Sequence, residues 1–311
     1  MAEAERKTPK SSSVQTTGHS WDGDLQELNN PLPRWWLWAF YATVVFAVIY
    51  WVFYPAWPVG HTYTKGVLNT ITYEVDGERK TTHWNSRALL AREMQAGEAA
   101  VRQREYMQKI AGADYEEILA SPQMMGFTLS VGKVLFLDNC AACHGAGGQG
   151  RAGMFPNLVD DAWLWGGSVE QIQQSIAEGR RGSMPAFEDT LTDAQIEQVA
   201  EYVLSLSGHD VDRQTAEAGS TLFQGSRGGC HACHGRDGTG RSSLGSADLT
   251  DSIWTAAAVA GKTDLEGRRA ALRAVIRRGI QRRMPPWEGR LDPTEIKLLT
   301  VYVQTLGGGS R

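Results

Sequence analysis

Cysteine is scarce: the 311-residue chain has four, and none stands outside a pair. That count leaves no spare thiol for a larger disulfide framework, and the βαβ pattern that a thioredoxin-type redox pair needs is missing. An excess of positive charge is also missing. A formal net charge of -4 gives no global basic field, which argues against a nucleic-acid binder held by phosphate contacts. What the chain does have is tryptophan, eleven in all, five of them (Trp35, Trp36, Trp38, Trp51, Trp57) crowded into one short segment.

That segment contains Trp35 to Tyr54, twenty residues without a charge. At about 1.5 Å per residue a helix of that length crosses a hydrocarbon core of roughly 30 Å, so it reads as one transmembrane helix. Aromatic residues at both ends match interfacial belts, with Arg34 and Pro31/Pro33 before the span and Pro55/Pro58 after it. A cleaved signal peptide has a shorter apolar region, and Trp57-Pro58 is unlike a small-residue cleavage site. A buried globular helix is disfavoured because the stretch has no polar stripe. Near the span the only positive charges are Arg34 and Lys65, which leaves orientation open; the more distant Arg6, Lys7 and Lys10 tip it toward a cytoplasmic N-terminus.

Residues 1–20 are polar and Ser/Thr-rich, with too little apolar surface to offset ordering entropy, and are expected as a disordered tail. Trp21, Leu25 and Leu28 predict a short amphipathic piece just before the span. Residues 85–120, rich in Ala, Glu, Arg, Gln and Met, predict one or two helices with a spacing or docking role.

From residue 127 an internal repeat appears. Gly132, Leu135 and Phe136 precede Cys140 as Gly219, Leu222 and Phe223 precede Cys230, and downstream the match holds at a constant offset through Met184/Met284, Pro185/Pro285, Ile196/Ile296, Tyr202/Tyr302 and Leu206/Leu306. Each copy closes with a capped amphipathic helix. Thr192 with Gln195 opens the first, with Gly208 as its left-handed stop; Asp292 with Glu295, and Pro293 in the first turn, opens the second, which ends at glycines from Gly307.

All four cysteines lie in two matching pentapeptides, Cys140-Ala-Ala-Cys143-His144 and Cys230-His231-Ala-Cys233-His234. This spacing is read as c-type haem attachment. On a helix, positions i, i+3 and i+4 share a face, so two sulfurs can bond one porphyrin while the histidine reaches the iron. A four-thiolate zinc site is disfavoured: the 87 positions from Cys143 to Cys230 far exceed ribbon spacing, and both following histidines would be coincidence.

The far side of each iron needs a ligand or stays open. Met184 and Met284, each before a proline at the same place in its repeat, are the candidates, Met184 for the first haem iron with His144 and Met284 for the second with His234. Met124, Met125, Met154, His209 and His231 are lesser competitors. His/Met ligation makes each haem a closed electron carrier, so no catalytic residue is assigned. Pro156 is placed to offer a carbonyl to the other ring nitrogen of His144; Ser246 stands at the matching distance from His234, so that support is expected to come differently there. Arginines near the methionines, Arg180, Arg181, Arg277, Arg278, Arg282 and Arg283, suit propionates or a redox partner.

The string Trp21-Asp22-Gly23 followed by Glu27-Leu28-Asn29-Asn30-Pro31-Leu32-Pro33-Arg34-Trp35-Trp36, one membrane helix and two cytochrome domains in this order resemble the dihaem subunit III of the cbb3-type cytochrome c oxidases over nearly the whole chain. The resemblance implies a mainly α protein. A cytoplasmic tail and pre-membrane segment (1–34), the span (35–54) and a helical connector (55–126) precede two tandem all-α, class I-like cytochrome c domains (127–209 and 210–311). It implies two covalently bound haem c groups at Cys140/Cys143 and Cys230/Cys233. It also implies a bacterial inner-membrane location with the haem domains periplasmic, since covalent attachment in cytochrome c families takes place outside the cytoplasmic membrane. Electrons would pass from a soluble or membrane cytochrome c toward a mono-haem cytochrome subunit and the haem-copper subunit that reduces oxygen and pumps protons; nothing in this chain indicates oxygen chemistry of its own. The rival expectations are a membrane-anchored cytochrome subunit of a periplasmic dehydrogenase or a quinol-to-cytochrome shuttle, neither of which uses the pre-membrane string, and a dihaem peroxidase, which needs an open or His-ligated haem.

Overall fold

The computed structural model describes residues 14–307 apart from 152, 255–258, 260, 261 and 263. Arg6, Lys7 and Lys10, most of the polar tail and the last glycines lie outside the described residues. The chain folds as two compact units, residues 1–101 and 102–311.

In the first unit, β1 (Thr16–Trp21) and β2 (Leu25–Leu28) form an antiparallel hairpin, so order begins within the last residues of the polar tail and the short pre-membrane piece is a β-ribbon. Asp22 and Gly23 turn it with positive φ of 52° and 91°, the conformation an Asp-Gly pair adopts most readily. α1 (Arg34–Phe53) is the one helix among the described residues long and apolar enough to cross a membrane. Pro33 caps its start; none of its residues is buried, as suits a surface that lipid covers. After it, the expected helical connector begins instead with two small antiparallel hairpins, β3 (Pro58–Val59) with β4 (Thr62–Tyr63) and β5 (Thr70–Val75) with β6 (Glu78–His83). The second turns through Asp76-Gly77, again with both φ positive. Helical propensity dominates only from α2 (Ser86–Ala96) onward, where Asn85 accepts from the Ala88 N–H as N-cap.

α3 (Glu98–Gly112), α4 (Tyr115–Ala120) and α5 (Pro122–Asn139) come next, so residues 85–120 hold three helices, not one or two. Within residues 102–311 come α6 (Ala141–His144), α7 (Val169–Glu178), β7 (Arg180–Met184) and α8 (Asp193–Leu206), then α9 (Arg213–Gln224), α10 (His231–His234), α11 (Leu265–Arg278), β8 (Ile280–Met284) and α12 (Pro293–Leu306). The expected capping boxes of α8 and α12 are both present, and Gly208 takes φ of 78° beyond α8; Gly307 is extended.

The repeats are tandem along the chain but exchange their closing helices in space. α12 of the second copy packs on α5 and α7 of the first, whereas α8 of the first packs on α9 and α11 of the second. Three cores result. One joins Phe136, Ile172 and Ile176 to Ile296, Leu299 and Tyr302; another joins Phe223, Leu272 and Ile276 to Ile196, Val199 and Leu204. A third clusters Ile110, Ala113 and Ile118 with Leu298 and Val301. The matching glycines Gly132 and Gly219 sit at the helix crossings. A β-carbon on Gly132 would lie 2.8 Å from Tyr302 Cβ, and one on Gly219 would overlap the Gln198 carbonyl.

Candidate haem-attachment sites

Cys140 ends α5 and starts α6, so Cys143 and His144 come one helical turn later; Cys230 and α10 repeat the arrangement. The backbone bonds from His144 N to Cys140 O (2.9 Å) and from His234 N to Cys230 O (2.9 Å) close these turns. Each pentapeptide therefore presents two thiols and an imidazole from one helical surface. Cys143 and Cys233 are exposed and the other two half-buried, open to an incoming porphyrin edge. Burial, first, and the neighbouring thiol push Cys140 up to about 11; burial also raises Cys230 to about 11. No group of three or more His, Cys, Asp or Glu converges among the described residues, so the four-thiolate zinc reading has no site.

His144 Nδ1 donates to the Pro156 carbonyl at 3.1 Å, as the spacing predicts. His234 Nδ1 donates at 2.9 Å to the carbonyl of Ala247, one residue past the position matched by spacing. A carbonyl is available from any residue, so the loop gains a residue and keeps the bond. Ser246 acts elsewhere in the loop. Its hydroxyl donates to Cys233 O (2.6 Å) and accepts from Arg241 N (2.8 Å), holding the loop against the attachment turn. The two imidazole–carbonyl bonds fix the proton on Nδ1 and leave Nε2 with a free lone pair for a metal. Desolvation lowers the pKa of both imidazoles, with the carbonyl bond opposing it, so both are held neutral, as metal binding requires.

The methionines do not stay with their own attachment motifs. β7 and β8 pair antiparallel, Arg180 opposite Met284 and Met184 opposite Ile280. The strap after Met184 is held by Phe187 N donating to Ile276 O (3.1 Å) on α11, and the strap after Met284 by Trp287 N donating to Ile176 O (3.1 Å) on α7. Gly179 and Gly279 permit this crossing: both have positive φ, and a β-carbon on either would overlap the backbone carbonyl of the opposite methionine. Met184 thus packs in the core that contains Cys230 and Phe223, and Met284 in the core that contains Cys140 and Phe136. The competitor Met154 is exposed, Met124 and Met125 pack in the separate α3–α4 cluster, His209 contacts Arg268, and His231 Nδ1 donates to Phe223 O.

Two further observations bear on a bound porphyrin. Trp163 packs against the same core as Cys140 and Met284, and its buried indole N–H has no partner among the described residues. Sequence reasoning passed it over, although Trp163 and Trp254 occupy matching places in the repeat. Among the arginines, Arg180 is committed to Ser175 and Gln174 and lies over Trp165, and Arg277 pairs with Asp193. Arg181 and Arg283 stand directly opposite each other on the exposed face of the β7–β8 ribbon.

A family model described as the N-terminal domain of cytochrome oxidase-cbb3, FixP, matches residues 13–61. A second, described as cytochrome c oxidase, cbb3-type, subunit III, matches residues 128–203 and 214–303. The chain is 46% identical over 303 residues to the cbb3-type cytochrome c oxidase subunit FixP of Azorhizobium caulinodans, covering 94% of this chain and 93% of that protein. It is 44% identical to FixP of a Bradyrhizobium species (96% of each). It is 39% identical to subunit CcoP of Azospirillum brasilense (98% of this chain, 99% of that one).

Proposed function

Since the chain belongs to the subunit III family of the cbb3-type cytochrome c oxidases, we infer that it is the electron-transfer subunit of such a membrane-bound oxidase, relaying electrons from a cytochrome c donor through two c-type haems toward a mono-haem subunit and the oxygen-reducing haem-copper subunit. The match of residues 13–61 covers the pre-membrane string that a dehydrogenase or shuttle subunit leaves without a use. When bound, a haem iron takes up and gives back one electron. The protein's part is to hold it: Cys140 and Cys143 by thioether bonds with His144 on the iron, Cys230 and Cys233 likewise with His234. The observation that carries this is the pair of neutral, carbonyl-anchored imidazoles on the two attachment turns.

In place of the pairing that the sequence spacing offers, a crossed one is the better supported: Met284 would serve the iron of His144 and Met184 the iron of His234, because each shares a core with the other copy's attachment turn. Trp163, whose buried indole N–H lacks a partner among the described residues, would donate to a propionate of the first haem. With His and Met both bound, the irons would serve as electron carriers and not as oxygen-binding sites. The N-terminus is cytoplasmic and residues 102–311 periplasmic, where haem attachment takes place.

Purification from native membranes, with haem staining and subunit identification, tests the assignment. Two haems on this chain and copurification with a copper- and b-haem-containing oxidase are expected; a stable preparation without that partner, with oxygen reduction intact in a deletion strain, would sink it. The crossing is tested in a variant lacking the second attachment site (Cys230→Ala, Cys233→Ala). There Met284→His abolishes the sulfur-to-iron charge-transfer band of the remaining haem and Met184→His leaves it; the reverse result restores the uncrossed pairing.

A further inference from the structure

Beyond α1 the chain turns back onto the end of the helix. Val67 N donates to Val52 O at 2.9 Å, so residues 66–69 return to the last turn of the apolar helix and satisfy one of its free terminal carbonyls. The approach is main chain to main chain: a β-carbon on Gly66 would overlap the Phe53 carbonyl. At the tip Leu68 has φ of 60°, a left-handed conformation that is costly for a side chain of this size, and it is 91% exposed. Together with Phe46, Ile49, Tyr50, Phe53 and Tyr54 it walls a groove of about 460 Å³ that Asn69 also lines. An exposed leucine in this conformation gains from burial only where acyl chains or another protein cover it.

The surroundings have the chemistry of a bilayer interface. Tyr50 stacks on Tyr54 (4.5 Å between ring centroids), Trp51 meets Trp57 edge-on (4.7 Å) and Tyr54 meets Trp84 edge-on (5.3 Å). Such aromatic belts settle at headgroup level. From Arg34 to Tyr73 there is no Asp or Glu, and the one lysine, Lys65, precedes the returning loop. The acidic and mixed charges resume only from Glu74, on the hairpin that turns at Asp76-Gly77.

We propose that residues 54–69 form a membrane-seated collar at the C-terminal end of α1, with Leu68 in the acyl region, the α1–Leu68 groove holding a phospholipid acyl chain, and Lys65 at its phosphate. The proposal rests on α1 spanning a bilayer and is independent of the haem assignment. Lipid is the occupant favoured over a protein helix because the walls continue the lipid-facing surface of α1 and the only fixed charge in the collar is a cation.

The test uses the full haem-loaded chain in nanodiscs containing anionic phospholipid. The cysteines are then held by haem, so introduced ones take a nitroxide label at position 45, 67, 68 or 80. Collision with oxygen, which concentrates in the bilayer, is compared with collision with a water-soluble nickel chelate. Labels at Leu68→Cys and Val67→Cys are expected to favour oxygen by several-fold, as at Val45→Cys, with the ratio reversed at Lys80→Cys. Preference for nickel at both 67 and 68 while 45 favours oxygen overturns the collar and leaves the span intact; preference for nickel at 45 overturns the span and the collar together. Repeated in the assembled oxidase, exclusion of both reagents from 67 and 68 assigns the surface to a protein neighbour and overturns the lipid reading.

Discussion

In the lobe around Cys140 the outer face of α12 presents Leu298 and Val301, both fully buried against Ile110 and Ile118 of α3 and α4. In the lobe around Cys230 the matching positions on α8 are Gln198 and Glu201, and beside the apolar core that Leu272 and Ile276 share with α8 the contact with α11 is bordered by ion pairs. Glu201, 3% exposed, pairs with Arg269, Glu197 with Arg273, and Asp193 with Arg277, while Glu266 braces both Arg269 and Arg273. The third helix differs accordingly: α7 has Gln173 and Ala177 where α11 has Arg273 and Arg277. Even the matching pair Glu197 and Lys297 has diverged. Lys297 donates to the carbonyls of Ile110, Ala111 and Ala113 (3.1, 3.1 and 2.7 Å), neutralising the C-terminal end of α3. One backbone arrangement is thus closed in one lobe by added apolar helices and in the other by an ion-pair ladder. The helix that needs extra cover is apolar on two faces; the one without cover is polar on the second.

Leu298→Ala should break this contrast most, costing about 3 kcal/mol through an unfilled cavity, whereas Gln198→Ala at the matching position stays within about 0.5 kcal/mol; denaturant unfolding of residues 102–311 in the full chain measures both. Equal losses would show that the α3–α4 cover does not matter.

The helix crossings come next. Gly219→Ala drives a methyl group into a backbone carbonyl that cannot rotate away and should cost about 2–3 kcal/mol, against about 1–2 kcal/mol for Gly132→Ala, read as a larger fall in Tm for the first. The order reverses only if α8 can slide on α9 more easily than α12 on α5.

Glu201→Gln removes the buried charge of the ladder and should cost about 1–2 kcal/mol, a value reduced from that of a fully buried pair because Arg269 keeps some solvent contact. Asp193→Asn, on the exposed rung, should change stability by less than about 0.5 kcal/mol. Raising salt should narrow the second effect more than the first.

The smallest effect depends on pH. Asp212 caps α9, and its bonds from the Thr215 hydroxyl and N–H hold its carboxyl below the usual carboxylate range. Its contribution is therefore complete above the unfolded carboxylate pKa and is lost as pH falls through the lower folded value. Asp212→Asn should lower the neutral plateau slightly and flatten the acid limb of a Tm-against-pH curve, the variant and parent curves converging below the folded pKa; parallel curves would assign the acid sensitivity elsewhere.

Much of this was legible in residue order because the chemistry is local. The CxxCH turns and the Thr192–Gln195 and Asp292–Glu295 caps join residues three or four apart, and the span is a run of one composition. The hairpins before and after α1 were missed because their strands are short and exposed; the signals were Asp22-Gly23 and Asp76-Gly77, two turns that need positive φ twice in succession. The Ala247 carbonyl was missed because a backbone acceptor leaves no residue type to find.

The sequence by itself determined that two attachment turns exist, that two methionines lie at equivalent points after them, and that an apolar helix comes first. Tertiary structure alone decided which methionine faces which turn. The two closing helices have matching core-facing residues, Ile196/Ile296, Val199/Leu299, Val203/Val303 and Leu206/Leu306, so spacing along the chain cannot rank the pairings. The crossing of β7 and β8 over Gly179 and Gly279, and the different outer faces of α8 and α12, select the exchanged arrangement.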